Sequence, residues 1–177
     1  MLRSVLIFPQ LNDRFTINRI RQRYDDLYEH IAPHISLVFP FDNELTDETI
    51  IQVVADAIKK QQQFKFKLRL TAVSGDPKNG YVWLVVDQGS KILTELHDAL
   101  YAEPILNPYY REDLPYQPHV TVAQGLSQLQ AEQLLIELQN ETYDLTATIT
   151  EVAIEHILEN GDSVVLATIG LGERDEN

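Results

Sequence analysis

The order of apolar and polar positions divides the chain into strands and helices. Apolar and polar residues alternate from Phe64 to Val73, which is typical of a strand with one buried face. Apolar residues recur at helical spacing from Thr46 to about Gln61, and Thr46 is suited to cap the first helical turn. Turn-forming residues at 75–80 and 159–162 predict two hairpins, which require antiparallel strand pairs.

The remaining elements follow from the same two patterns. Further strands are predicted over 2–8, 34–39, 81–86, 119–123, 145–157 and 164–169. Further helices are predicted over 12–29 capped by Asn12 with Phe15 inward, over 90–101 capped by Ser90, and over 127–140 capped by Ser127 with Leu129 inward.

The two halves of the chain share one order of elements: strand, helix, strand, helix, strand. Two copies are too few for a solenoid and favour a duplicated lobe. We therefore predict one α+β domain over 1–177, with lobe-forming repeats at about 2–74 and 80–170 and a tail at 171–177. The repeats are expected to build two mostly antiparallel sheets that face a central cleft, with the helices on the outside.

Two segments of similar sequence contain the residues best suited to chemistry. They read Pro33-His34-Ile35-Ser36 and Pro118-His119-Val120-Thr121. Because side chains alternate across a strand, each histidine and the hydroxyl residue two positions later point to the same side. A two-fold relation between the repeats would bring both polar sides to one cleft.

Two imidazoles and two hydroxyls in one cleft suit the chemistry of a phosphoester. Histidine takes or gives a proton near neutral pH, so His34 and His119 are candidates for general acid and general base, in either assignment. Ser36 and Thr121 can donate hydrogen bonds to phosphate oxygens as their negative charge grows. This chemistry requires no metal, and no cofactor is predicted.

A purely structural role is the alternative for these residues. A His-x-Ser/Thr motif is short enough to arise by chance, and either histidine could simply be a hydrogen-bonded strand residue. The preceding proline, the apolar strand and the same place in each repeat favour function. His30, His97 and His156 lack the motif and are expected at the surface, and a metal site built from the five histidines is not expected.

The loop from Glu103 to Pro118 contains aromatic residues and an arginine just before the second motif. Tyr109, Tyr110, Arg111 and Tyr116 either contact a base and a phosphate or pack the loop against the second lobe. The packing role is favoured for each of them.

The net charge and the composition limit the classes of ligand that the protein is expected to bind. The chain has 27 acidic and 14 basic residues and a net charge of −13, whereas proteins that bind long nucleic acids usually carry a basic stripe. The spacing of Lys65, Lys67 and Arg69 favours a solvated strand face. A small phosphorylated nucleotide or an RNA end is therefore the expected partner, rather than a long nucleic acid or a membrane. Without cysteine there is no disulfide or thiol nucleophile, and a cytoplasmic location is expected.

The paired motifs, placed at 34 and 119, and the repeated element order resemble the two-histidine (2H) phosphoesterase superfamily. This superfamily includes 2′-5′ RNA ligase-like proteins and cyclic nucleotide phosphodiesterases. The resemblance implies a bilobal fold, His34 and His119 as the catalytic pair, and Ser36 and Thr121 as phosphate-binding hydroxyls. It also implies an enzyme that opens cyclic phosphates or makes or breaks 2′-5′ linkages. Ser36 stands where many members have threonine.

Two alternatives to an enzyme remain from the sequence alone. The first is a non-catalytic protein of the same fold that binds a nucleotide or an RNA end. The second is a scaffold whose acidic surface binds another protein.

Overall fold

A computed structural model describes residues 1–61 and 65–172, and within these residues the chain forms nine strands and four helices. The predicted strand start at Phe64 and most of the predicted tail lie outside the described residues. The strands are β1 (Leu2–Ile7), β2 (Gln10–Leu11), β3 (Ile35–Asp42), β4 (Phe66–Asp76), β5 (Tyr81–Gln88), β6 (His119–Ala123), β7 (Leu145–Ile149), β8 (Glu151–Ile157) and β9 (Ser163–Gly170). The helices are α1 (Arg14–Tyr24), α2 (Asp47–Lys60), α3 (Ser90–Tyr101) and α4 (Gln128–Gln139).

The strands build two antiparallel sheets. Sheet A has the order β3-β1-β8-β9, and sheet B has the order β2-β7-β4-β5-β6. Helices α2 and α3 pack against sheet A, and α1 and α4 pack against sheet B. The apolar faces of both sheets join the helices in one hydrophobic core. This confirms the predicted α+β fold, in which the opposite, helix-free faces border the cleft.

Each sheet draws its strands from both halves of the chain. β4, the last strand of the first half, pairs with β5 in sheet B, whereas β8 from the second half pairs with β1 in sheet A. Helix α1 likewise packs on β6, and α3 packs on β3. The sheets therefore do not follow the predicted division into lobe-forming repeats 2–74 and 80–170. β4 pairs with β5 because the short turn between them joins the two strands as an antiparallel hairpin.

The strand predicted over 145–157 is two strands in two sheets. Leu145, Ala147 and Ile149 point into the core from sheet B, and after a break at Thr150 the chain continues into sheet A. There Val152 and Ile154 point into the core. This change of sheet explains why the polar and apolar positions of the segment do not follow one alternating pattern.

Helix α1 is shorter than predicted, and its cap lies one residue later. Asp13 accepts a hydrogen bond from the Thr16 N–H at 3.0 Å, whereas the Asn12 side chain accepts one from the Thr146 N–H at 2.9 Å in β7. The helix ends at Tyr24 instead of Glu29. Phe15 is 76% exposed and Leu129 in α4 is 63% exposed, so the inward positions predicted for them are wrong. Each is the second residue of its helix.

The caps of α2 and α4 are confirmed, but that of α3 is not. Thr46 accepts from the Thr49 N–H, and Ser127 forms a capping box with Gln130. Ser90 is instead the first helical residue of α3, and Gly89 occupies the cap position with a φ of 91°. The left-handed backbone at this position favours glycine over serine.

The contrast between Ser127 and Ser90 gives a stability test. Ser127→Ala removes a side-chain acceptor from the first turn of α4 and is expected to cost about 1 kcal/mol, which lowers Tm by about 3 °C. Ser90→Ala is expected to change Tm by less than about 1 °C, because the hydroxyl makes no capping bond. Thermal unfolding followed by circular dichroism measures both. Equal losses in the two variants would contradict this assignment of the caps.

Candidate active site

The two motif strands lie next to each other at the border between the sheets. β3 is the outermost strand of sheet A, β6 is the outermost strand of sheet B, and the two strands contact each other. In each motif the apolar residue after the histidine is buried in the core, and the histidine and hydroxyl residues are half-buried on the opposite face. The structure thus brings both motifs to one cleft border, with the side-chain alternation predicted from the sequence.

The two imidazoles are held by matching backbone hydrogen bonds. Nδ1 of His34 lies 3.0 Å from the Ala32 carbonyl oxygen, and Nδ1 of His119 lies 2.6 Å from the Gln117 carbonyl oxygen. Because a carbonyl oxygen only accepts, Nδ1 carries the proton in both rings. In the neutral imidazole Nε2 is then an unprotonated acceptor. The tautomer of each ring leaves Nε2 ready to take a proton.

Burial and mutual proximity set the charge of the pair. Partial burial of the two rings lowers the pKa of both His34 and His119 below the ordinary histidine value. The neighbouring His34 lowers the pKa of His119 further, since a charge on one ring opposes a charge on the other. A positive charge on His34 therefore disfavours a positive charge on His119.

Aromatic rings flank both histidines. Trp83 in β5 lies 4.6 Å from the His119 ring between centroids, at an interplanar angle of 31°, and pairs with Thr121 across the strands. Phe8, just after β1, meets the His34 ring edge-on at 6.4 Å. These contacts restrict the rotation of both imidazoles and shield them in part from solvent.

A buried ion pair links the chain segments next to the two motifs. Arg21 in α1 donates to Asp25 at 2.5 Å and to the carbonyl oxygen of Ile31, three residues before His34, at 2.7 Å. Asp25 also accepts from the side chain of Gln124, the residue after β6, at 2.7 Å. Because every charge in this cluster is paired, it can fix the approach of both motif strands.

A buried carboxylate lies on the cleft face of sheet A. Glu155 is 2% exposed, and its two oxygens accept hydrogen bonds from Ser4 and Ser163 on the neighbouring strands. Glu155 forms no ion pair with any residue of 1–61 or 65–172. Burial of a carboxylate without a paired cation is costly, and the two serine hydrogen bonds offset part of that cost. The negative charge of Glu155 acts to raise the pKa of His34.

This electrostatic role is tested by Glu155→Gln, which keeps the size and polarity of the side chain. Loss of the negative charge should lower the pKa of His34, because the imidazolium loses a stabilising charge. The pKa is measured by NMR titration of the His34 ring protons. The control is Glu151→Gln at an exposed position of the same strand, which should leave the pKa of His34 unchanged. An unchanged pKa in Glu155→Gln would refute the role.

The four candidate residues of the loop 103–118 either pack against the rest of the protein or form an ion pair at the surface. Tyr109 and Tyr116 donate hydrogen bonds to carbonyl oxygens of β3, and Tyr110 contacts Tyr101 edge-on. Arg111 pairs with Asp113 at 2.7 Å and is exposed. A packing role is thus found for these tyrosines, but Tyr109 and Tyr116 hydrogen bond to β3 of the first repeat rather than to the second lobe that was predicted.

Two of the three motif-free histidines, His97 and His156, do not lie at the surface positions predicted for them. His97 is 2% exposed, because its side of α3 packs against β3, so the prediction of a surface position is wrong. His30 lies in a turn after α1 and bonds Asp162 at 2.8 Å. His156 bonds Asp47 at 3.0 Å and is mostly buried.

The basic residues of β4 are exposed, as predicted from their spacing. Lys67 and Arg69 lie opposite Thr148 and Thr146 on the face of sheet B that points away from the helices. Arg69 is paired with Asp144 at 2.8 Å.

Sequence reasoning missed Trp83 and Glu155 as members of the site. Both lie on strands that were predicted, but the pairing of β5 with β6 and of β8 with β1 brings them to the motifs. A signal for Glu155 was present, since it is the one acidic residue in the run 152–157, where every other residue except His156 is apolar.

The profile of the 2′-5′ RNA ligase superfamily matches residues 8–161, which is most of the chain. The chain belongs to this superfamily. A protein of Bacillus pumilus (strain SAFR-032) named "Putative phosphoesterase" is 33% identical over 173 residues, covering 96% of this chain and 97% of the relative. A relative from Oceanobacillus iheyensis with the same kind of name is 27% identical over 174 residues, covering 96% and 97%. The resemblance to the two-histidine phosphoesterases is confirmed, and the chain is a phosphoesterase of this type.

Solved structures share the fold at low sequence identity. A protein of Thermus thermophilus matches with a TM-score of 0.65 at 14% identity, covering 98% of this chain and all of that one. LigT of E. coli, crystallised with 3′-AMP, matches with a TM-score of 0.59 at 16% identity, covering 96% and 97%. The same protein was also crystallised with phosphate. Among the helices of the described residues, none has the length and apolarity needed to cross a membrane.

Proposed function

We propose that this phosphoesterase acts without a metal ion on a cyclic phosphate or a 2′-5′ phosphodiester of a nucleotide or an RNA end. His34 and His119 are its general acid and base, and the hydroxyls of Ser36 and Thr121 hold the phosphate. The observation that carries the proposal is the matched pair of Nδ1–carbonyl hydrogen bonds, which gives both rings the tautomer needed for proton transfer at Nε2.

The reaction needs two proton transfers, one at each histidine. One histidine, as the neutral imidazole, takes a proton from the attacking water while the other, as the imidazolium, gives its proton to the leaving ribose oxygen. The water oxygen forms a bond to phosphorus as the bond to the ribose oxygen breaks. A cyclic phosphate thus becomes a phosphomonoester, and the histidines exchange protonation states. The same steps in reverse form the phosphate ester bond and release water.

The two hydroxyls supply hydrogen bonds where charge develops. Ser36 and Thr121 follow their histidines on the same strand faces, so each can donate to a non-bridging phosphate oxygen. Together the four groups provide acid, base and anion stabilisation, which leaves no step that requires a Lewis acid. This supports the metal-independent form of the reaction.

The size and charge of the protein support a small substrate or a chain end. A net charge of −13 opposes binding along a polyanion, whereas a single phosphate needs only the two hydroxyls and one imidazolium. The complexes of E. coli LigT with 3′-AMP and with phosphate support a nucleotide-sized ligand by analogy.

The test is turnover of 2′,3′-cyclic nucleotides and 2′-5′ dinucleotides in the presence of a chelator. Wild type is expected to form product, and the His34→Ala/His119→Ala double variant is expected to form none above background. Activity that disappears in chelator and returns with a divalent metal would refute metal independence. Absence of product with every substrate, together with a Tm raised by the same nucleotides, would favour the non-catalytic binding protein instead.

A further inference from the structure

The first motif lies on a strand whose backbone is held by side chains from outside its sheet. β3 pairs with β1 and is the outermost strand of sheet A, so its other edge has no strand partner in the sheet. In the described part of the chain, four side chains hydrogen bond to the β3 backbone. Tyr116 donates to the Ser36 carbonyl at 2.9 Å, His97 to Leu37 at 2.8 Å and Tyr109 to Asp42 at 2.7 Å, and Tyr101 accepts from the Phe39 N–H at 3.1 Å.

Such contacts satisfy an edge that would otherwise be open to pairing with another chain. If these hydrogen bonds only protected the edge, their positions along β3 would bear no relation to the motif. However, Tyr116 and His97 bond to consecutive carbonyls at the motif end of β3, and Tyr109 bonds at the far end. The hydrogen bonds at the motif end can therefore position the site, whereas the one at the far end cannot.

The side chains that hold the motif end of β3 also pack on one another. The rings of His97 and Tyr116 stack with centroids 3.7 Å apart and an interplanar angle of 5°, and Tyr101 meets His97 edge-on at 4.8 Å. Nδ1–H of His97 donates to the Leu37 carbonyl, and burial lowers the pKa of His97. Its Nε2 is buried without a hydrogen-bond partner among the described residues. A buried imidazole that leaves one nitrogen unsatisfied carries a cost, which its hold on β3 and its stacking on Tyr116 offset.

We propose that Tyr116 and His97 are positioning residues for the reaction: they fix the backbone of Ser36 and Leu37, and so hold His34 and Ser36 in line with the second motif. This rests on the proposed function of the motifs. Tyr116 acts through its hydrogen bond to the Ser36 backbone. Tyr109 bonds the same strand six residues further on and serves the scaffold alone.

The experiment compares Tyr116→Phe with Tyr109→Phe. Each change deletes one hydroxyl that donates to a β3 carbonyl and keeps the ring, so each is expected to lower Tm by a similar few degrees. Tyr116→Phe is expected to lower kcat about tenfold with KM changed by less than about twofold, because the catalytic groups lose alignment. Tyr109→Phe is expected to keep both constants within about twofold. An unchanged kcat in Tyr116→Phe, or an equal loss in both variants, would overturn the proposal.

Backbone hydrogen exchange separates this proposal from the proposed function. Tyr116→Phe should speed exchange of the amides of residues 35–37, and Tyr109→Phe should speed exchange near Asp42 instead. If wild type turns over none of the substrates, the proposed function fails, but faster exchange at 35–37 would still support the hold on the motif. Unchanged exchange there in Tyr116→Phe would overturn the positioning role whatever the activity.

Discussion

Replacing His34 or His119 by alanine is expected to lower kcat/KM at least about 10³-fold, because each change removes one of the two proton transfers. Both rings are half-buried at the cleft border, so the loss of either should leave the fold intact. Each variant is expected to keep the far-UV spectrum of wild type and a Tm within about 5 °C of it.

The pair should also behave as one catalytic unit. Once one histidine is gone, the other cannot complete the proton relay, so the double variant is expected to lose no more than about tenfold beyond either single variant. Initial rates on the substrate that wild type turns over fastest measure this. His30→Ala is a matched control, since His30 is also half-buried but bonds Asp162 outside the motifs. Substantial turnover by His34→Ala or His119→Ala would refute the acid–base roles.

Removing the hydroxyl of Thr121 is expected to lower kcat about 10²-fold. Thr121→Val keeps the shape of the side chain beside Trp83 but deletes the donor to the phosphate oxygen. Loss of one such donor lowers kcat by about two to three orders of magnitude. The smaller loss is expected here because Ser36 still donates a hydrogen bond to the phosphate. Thr121→Ser retains the hydroxyl and is expected to keep most of the activity.

The control for this prediction lies on the same helix-free face of sheet B. Thr148 is exposed in β7, away from the motif strands, so Thr148→Val should leave kcat and KM unchanged. Steady-state kinetics of the three variants beside wild type gives the comparison. Full activity in Thr121→Val would show that the phosphate is held by other groups.

The local pattern of the sequence predicted the motif geometry well. Alternation in two short apolar runs was enough to place His34 with Ser36 and His119 with Thr121, since a strand fixes which side each residue faces. The same local reasoning found the caps at Thr46 and Ser127, where a side chain bonds its own first turn. It was wrong at Asn12 because that side chain bonds a residue 134 positions away in β7.

Burial was harder to predict for residues whose partners are distant in the chain. His97 was predicted at the surface from its helix alone, but the tertiary contact of α3 with β3 buries it. Glu155 and Trp83 were not assigned to the site, because only strand pairing brings them near the motifs. The segment 145–157 was predicted as one strand because a change of sheet at Thr150 leaves the extended backbone on either side.

By itself the sequence determined the fold class, the two motifs and the side of each strand that carries their polar groups. These depend on periodicity and turn chemistry within a few residues. The tertiary structure decided which strands share a sheet, which residues flank the histidines, and how His97 and Tyr116 hold β3. Those features depend on contacts between segments far apart in the chain, whose free energy is gained only when the whole core forms.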